Sequence, residues 1–115
     1  MILIAGTIDL ADPARRDECV AATVPLQEAS RAEPGCLAYV FAADPVVAGR
    51  IVVFEEWADA ASLEAHFRHS NYLENRRLLG GFGIASIDVW KHRTDARDRV
   101  YSPERVPSAR FWSVE

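Results

Sequence analysis

A histidine among apolar neighbours, two adjacent carboxylates on an apolar strand and a set of aromatic side chains are the residues here whose types could do chemistry. His66 is the leading general base, because an imidazole changes protonation near neutral pH, and His69 and Tyr72 are its alternates. Tyr39, Phe54 and Trp57 could wall an aromatic pocket, and Arg76 or Arg77 could hold an oxyanion. Glu55 and Glu56 alternate across a strand, so one of them should point inward, where a carboxyl needs a partner or a raised pKa. Each has a plainer reading. Trp57 can be a core residue at a strand end, His66 a hydrogen-bonded packing histidine beside Leu63 and Phe67, Arg76 and Arg77 solvated charges, and His69 and His92 surface residues. There is no Ser-His-Asp order and no carboxylate metal cluster, and Gly80-Gly81-Phe82-Gly83 follows a helix instead of opening one, as a phosphate loop would.

The elements that must position these residues follow from hydrophobic period and turn chemistry. Met1 to Asp9 reads as a strand, with Ile2, Ile4 and Ile8 on one side and Leu3, Ala5 and Thr7 on the other. Asp12 caps a helix that starts at Pro13 and runs to about Glu33, its inward stripe Cys19, Ala22, Leu26 and Ala29, with Pro25 bending or splitting it. Glu33-Pro34-Gly35 ends that helix, and Cys36 to Ala43 and Arg50 to Trp57 form a hairpin. Asp59 caps a helix to about His69 with Leu63 and Phe67 inward, a short helix spans Asn71 to Leu79, and Ile84 to Lys91 is the last strand. The order is β-α-β-β-α-β. It predicts an α+β, ferredoxin-like fold, a four-stranded antiparallel sheet with its helices on one face. Both sheet faces are substantially apolar, so a second copy is expected to cover the open one, giving a homodimer.

Residues 1–93 make one domain, and 94–115 form a C-terminal extension expected to dock on the partner subunit or over a pocket through Phe111-Trp112-Ser113-Val114. Thirteen Lys and Arg against seventeen Asp and Glu leave a net charge of −4, which argues against a nucleic acid or an anionic membrane as partner. The apolar run Cys36 to Ala43 is far short of the roughly 20 residues a membrane helix needs, and Met1 to Leu10 lacks a basic leader, so a cytoplasmic protein is expected. Cys19 and Cys36 have no metal-ligand or redox spacing, and both read as small buried hydrophobes.

Several segments together resemble the antibiotic biosynthesis monooxygenase family. They are Ser30-Arg31-Ala32-Glu33-Pro34-Gly35-Cys36-Leu37-Ala38-Tyr39, Phe54-Glu55-Glu56-Trp57, Leu63-Glu64-Ala65-His66-Phe67 and Ser70-Asn71-Tyr72-Leu73, in an order and spacing that covers roughly residues 1–92. The resemblance implies a dimeric α/β barrel with a cavity between sheet and helices in each subunit. It also implies oxygenation of hydroquinone, anthrone-like or polycyclic phenol substrates by dioxygen, without metal, haem or flavin. In that chemistry the protein binds the aromatic in a dry pocket, removes a proton and stabilises charge on oxygen, with His66 as base and Tyr39, Phe54, Trp57, His69, Tyr72 and Arg76 around the substrate. A non-catalytic dimer that binds a hydrophobic small molecule is the rival reading. A haem-degrading branch of the fold uses a first-strand Asn, a helix Trp and a ligand His. Here the first strand has no Asn, and His66 and Arg76 stand at the other two places, so haem is disfavoured unless His69 serves from a different position.

Overall fold

The computed structural model describes residues 1–111. Four strands, β1 (Ile2–Leu10), β2 (Cys36–Ala43), β3 (Arg50–Trp57) and β4 (Ile84–Arg93), form one antiparallel sheet in the order β2-β3-β1-β4. Three helices, α1 (Arg16–Arg31), α2 (Ala60–Arg68) and α3 (Ser70–Phe82), complete the expected ferredoxin-like α+β arrangement. Among the described residues no helix is long and apolar enough to cross a membrane.

Strand parity sorts the core. Ile4 and Ile8 of β1, Tyr39 and Phe41 of β2 and Ile51, Val53, Glu55 and Trp57 of β3 are buried on one face. The opposite face carries Leu3, Ala5, Val40, Val52, Phe54 and Trp90, of which Val40, Phe54, Ala5 and Trp90 form one rung across the four strands. Val52, Phe54 and Trp90 are exposed there.

The first helix departs from its expected course in three ways. Asp12 caps a single 3-10 turn, Pro13–Arg15, by accepting from the Ala14 amide, and α1 proper starts one residue later. Pro25 does not split it, since Ala21 and Pro25 both face solvent, where water can take the carbonyl that Pro25 leaves without a donor. Its buried stripe is Cys19, Thr23, Gln27 and Ser30, and not Cys19, Ala22, Leu26 and Ala29. The reason lies in the free edge of β2. Gln27 donates to the Phe41 carbonyl (2.8 Å) and accepts from the Phe41 amide (3.1 Å), while Arg31 donates to the Tyr39 carbonyl (2.8 Å). These bonds occupy edge groups that would otherwise invite another strand. At the other end of the helix, Arg16 donates to the carbonyls of Asp44, Val47 and Arg50, tying the β2–β3 hairpin to α1.

On α2 the buried pair is Leu63 and His66, with Phe67 rotated to the helix flank and partly exposed. The last helix continues through Gly80 and Gly81 and stops at Gly83, whose φ of 87° breaks the helical path. The segment after β4 is anchored by the Thr94 amide on the Met1 carbonyl. It then folds on itself, with Tyr101 bridging Pro107, and leaves Val100, Tyr101, Val106 and Phe111 exposed. Trp112, Ser113 and Val114, expected to dock, lie outside the described residues.

Candidate functional site

A cleft of about 540 Å³ lies between the helix-facing side of the sheet and α3. Its roof is a helical stripe at i, i+3, i+4 and i+7, namely Tyr72, Asn75, Arg76 and Leu79, with Phe67 of α2 beside it. Its floor is set by strand register. Tyr39 pairs with Glu55, Glu55 with Ile4 and Ile4 with Lys91, so these four form one rung across all four strands. The next residues along the same face are Phe41, Val53 and Val89. The cleft opens along β4, where Ile87 is 63% exposed.

Glu55 is the titratable group at the dry end. It is 6% exposed, and Trp57 Nε1 donates to its Oε1 at 3.0 Å. Burial pushes its carboxyl up to about 7 against the pull of that hydrogen bond. Tyr39 forms the wall next to it, and burial raises its phenol so that the hydroxyl stays neutral. Asn75, 4% exposed, donates through Nδ2 to Tyr39 Oη at 3.4 Å, while its Oδ1 is buried without a partner. One end of this amide is therefore tied and the other is left for something entering the cleft.

Behind this wall stands an aromatic cluster centred on His66, which is 1% exposed. Its ring lies 4.5 Å from that of Trp57 and 5.5 Å from those of Tyr39 and Tyr72. Nδ1 faces the Glu33 carboxylate at 3.0 and 3.1 Å and so donates to it, and Asn71 Nδ2 donates to the same carboxylate at 3.1 Å. Glu33 is held in place by the turn at Gly35, whose φ is 81° and where a Cβ would sit 2.1 Å from Ser62 Oγ. Gly35→Ala is accordingly expected to destabilise the fold by about 2 kcal/mol or more, from the left-handed conformation and the clash together, as read by urea unfolding.

The structure thus brings Tyr39, Tyr72 and Arg76 to the cleft, and keeps His66 and Trp57 in the layer behind. His66 does not border the cleft, and its ring nitrogen Nδ1 is committed to Glu33. Phe54, expected beside Tyr39 and Trp57, stands on the opposite sheet face because it is odd by one in parity from both Glu55 and Trp57. His69 is exposed between α2 and α3, where its Nδ1 accepts from the Asn71 amide and caps α3. Sequence reasoning set one of Glu55 and Glu56 inward without choosing Glu55 as a site residue, and passed over Asn75 and Lys91. Parity with Val53 and Trp57 could have picked out Glu55, whereas Asn75 and Lys91 needed the tertiary fold. Among the described residues no three His, Cys, Asp or Glu side chains converge as metal ligands do.

Comparison with known proteins agrees with this architecture. A crystal structure from Deinococcus radiodurans, assigned to the antibiotic biosynthesis monooxygenases, superposes with a TM-score of 0.78 at 18% identity over 89% of this chain and all of that one. Another described as an antibiotic biosynthesis monooxygenase gives a TM-score of 0.67 at 28% identity, covering 85% of this chain and 100% of the other. An uncharacterized protein of Synechocystis sp. is 36% identical over 67 residues, 58% of this chain, and the matched stretch spans 45% of that relative's length. The antibiotic biosynthesis monooxygenase family model matches residues 1–77, the stretch that supplies the sheet's first three strands and most of the cleft's roof, and the chain belongs to that family.

Proposed function

We propose that the cleft is the site of a cofactor-independent monooxygenase that oxidises a hydroquinone, an anthrone or a polycyclic phenol with dioxygen, with Glu55 in place of His66 as the general base. The observation that carries this reading is a buried carboxyl lifted to about 7 at the floor of an aromatic cleft. A group half ionised near neutrality can accept a proton and return it at the pH where the protein works. Dioxygen reacts slowly with closed-shell organics, so the substrate must first become electron-rich. Glu55 removes a proton from the phenol or the anthrone methylene, and the resulting anion passes an electron to oxygen. Recombination forms a carbon–oxygen bond, and Glu55 returns its proton to the peroxide. Loss of water then leaves a carbonyl, so that the CH2 of an anthrone and O2 become C=O and H2O, and the C–H and C–OH of a phenol with O2 become two C=O and H2O. Tyr39, Tyr72 and Phe67 provide the aromatic walls, the untied Oδ1 of Asn75 accepts from a substrate hydroxyl, and Trp57 Nε1 orients the Glu55 carboxyl. The His66–Glu33–Asn71 network supports these walls from behind.

The working unit in this reading is a homodimer of 1–93 domains, joined through the face that carries Leu3, Ala5, Val40, Val52, Phe54 and Trp90. Each Å² of apolar area left in water forgoes about 25 cal/mol, and a second copy of the same face covers it at no cost in new sequence. Val100, Tyr101, Val106 and Phe111 of the extension after Arg93 are exposed, which supports its docking across the partner subunit in this reading. The reaction is tested by product analysis under ¹⁸O-labelled dioxygen with metal-free protein and a panel of anthrones and hydroquinones. One labelled atom is expected in the quinone and one in water. No labelled quinone from any substrate, with ligand-induced thermal stabilisation, would leave the non-catalytic binding reading in its place.

A further inference from the structure

We propose that the mouth of the cleft is an anion subsite formed by Arg76 and Lys91, so that the substrate is a fused-ring hydroxyaromatic acid lying with its hydroxyl at Glu55 and its carboxylate, or a comparable anion, at the two cations. This deepens the oxygenase reading and rests on it for the chemistry at the Glu55 end.

The charged residues that line the cleft are Glu55, Arg76 and Lys91. Neighbouring arginines on the helices are tied down, Arg77 to Glu74 and Arg68 to Glu64. The side chains of Arg76 and Lys91 make no hydrogen bond or ion pair among the described residues. Two unpaired cations thus face one cleft from opposite walls, Arg76 from the roof and Lys91 from the floor. An anion between them would be neutralised from both sides.

The register also sets the spacing of the two strand positions at the ends of the cleft. Glu55 and Lys91 both pair with Ile4, one on each side of it, so their Cα positions are two strand spacings apart, roughly 10 Å. Two or three fused rings bridge such a span, and a single ring does not. The two ends differ in solvation in the sense the ligand requires. The buried end at Glu55 takes a neutral hydroxyl, whose entry costs little once it is hydrogen-bonded, and the open end along β4 takes the charge, which stays partly in water. The apolar middle, Ile4, Val89 and Leu79, matches the ring system.

The test is binding under argon at low ionic strength, followed by the fluorescence of 6-hydroxy-2-naphthoate and of its uncharged carboxamide. The acid is expected to bind wild-type protein about tenfold more tightly than the amide, the gain that one or two charge-assisted contacts at a half-open mouth supply. In the Arg76→Gln/Lys91→Gln double variant this preference should fall to about twofold or less, through a loss of affinity larger for the acid than for the amide, and added salt should erode it in wild type. Both positions are exposed, so melting temperature serves as the folding control. Equal affinities for acid and amide, a preference that survives the double substitution, or no binding of either at millimolar concentration would each overturn the subsite. Discrimination without any oxygenation removes the reaction and leaves the subsite standing. Oxygenation of hydroquinones by a protein that ignores the carboxylate does the reverse.

Discussion

Replacing Glu55 with Gln is expected to raise the free energy of unfolding by about 3 kcal/mol at about pH 8 and to change it little at about pH 4. The sign follows from the direction of the shift. Burial lifts the Glu55 carboxyl from the ordinary 4.5 to about 7. Below the unfolded value both states hold the proton and the group is neutral in its effect. Between the two values the unfolded chain gives up its proton while the folded chain keeps it, so stability falls as pH rises, and above the folded value the whole penalty is present. A glutamine never ionises, and its amide oxygen can still accept from Trp57 Nε1, so the variant escapes the penalty without losing that bond. Thermal unfolding across pH reads the difference directly. A variant less stable than wild type at every pH would mean that the carboxylate is stabilised in the fold. A residue that costs stability and lines a cleft fits a catalytic use.

If a second copy covers the open sheet face as proposed, Phe54→Glu is expected to turn that dimer into a monomer in light scattering at micromolar concentration, while leaving the subunit folded. The side chain stands on the face away from the helices, in register with Ala5 and Val40, so the internal core does not depend on it. At a two-fold interface one substitution places two unpaired carboxylates in a buried apolar contact. Each costs several kcal/mol, so the dissociation constant should rise by at least about a hundredfold. Val52→Lys, on the same face one pair of residues along, should act in the same direction. A wild-type protein that is already monomeric, with Phe54→Glu no different, would remove the second copy as the cover of this face.

What the sequence disclosed depended on how local the cause was. The hairpin of β2 and β3 could be read from alternation and from its Pro and Gly turns, because those signals sit within the segments themselves. Inward placement of one member of Glu55-Glu56 was legible for the same reason. The buried face of α1 was not, because Gln27 is turned inward by the backbone of β2, bonded to Phe41 fourteen residues away, and Thr23 is buried beside it as the acceptor of its amide. Nor was the state of His66. Its partner Glu33 lies thirty-three residues off, and only the Gly35 turn brings the two together. Phe54 was placed with Trp57 by residue type, although strand parity sets them on opposite faces. The pairing of Lys91 with Ile4 requires knowing that β4 adds beside β1, a matter of topology that no spacing within β4 reveals.

The most direct test of the account is the rate of oxygen consumption by metal-free protein supplied with anthrones and hydroquinones, measured across pH for wild type and Glu55→Gln. Uptake by wild type is expected to climb as pH rises through about 7, as the base becomes ionised, and to fall by about a hundredfold or more in the variant. Uptake that is equal in the two proteins, or that shows no rise near that pH, would contradict the assignment of Glu55 as the base of the reaction.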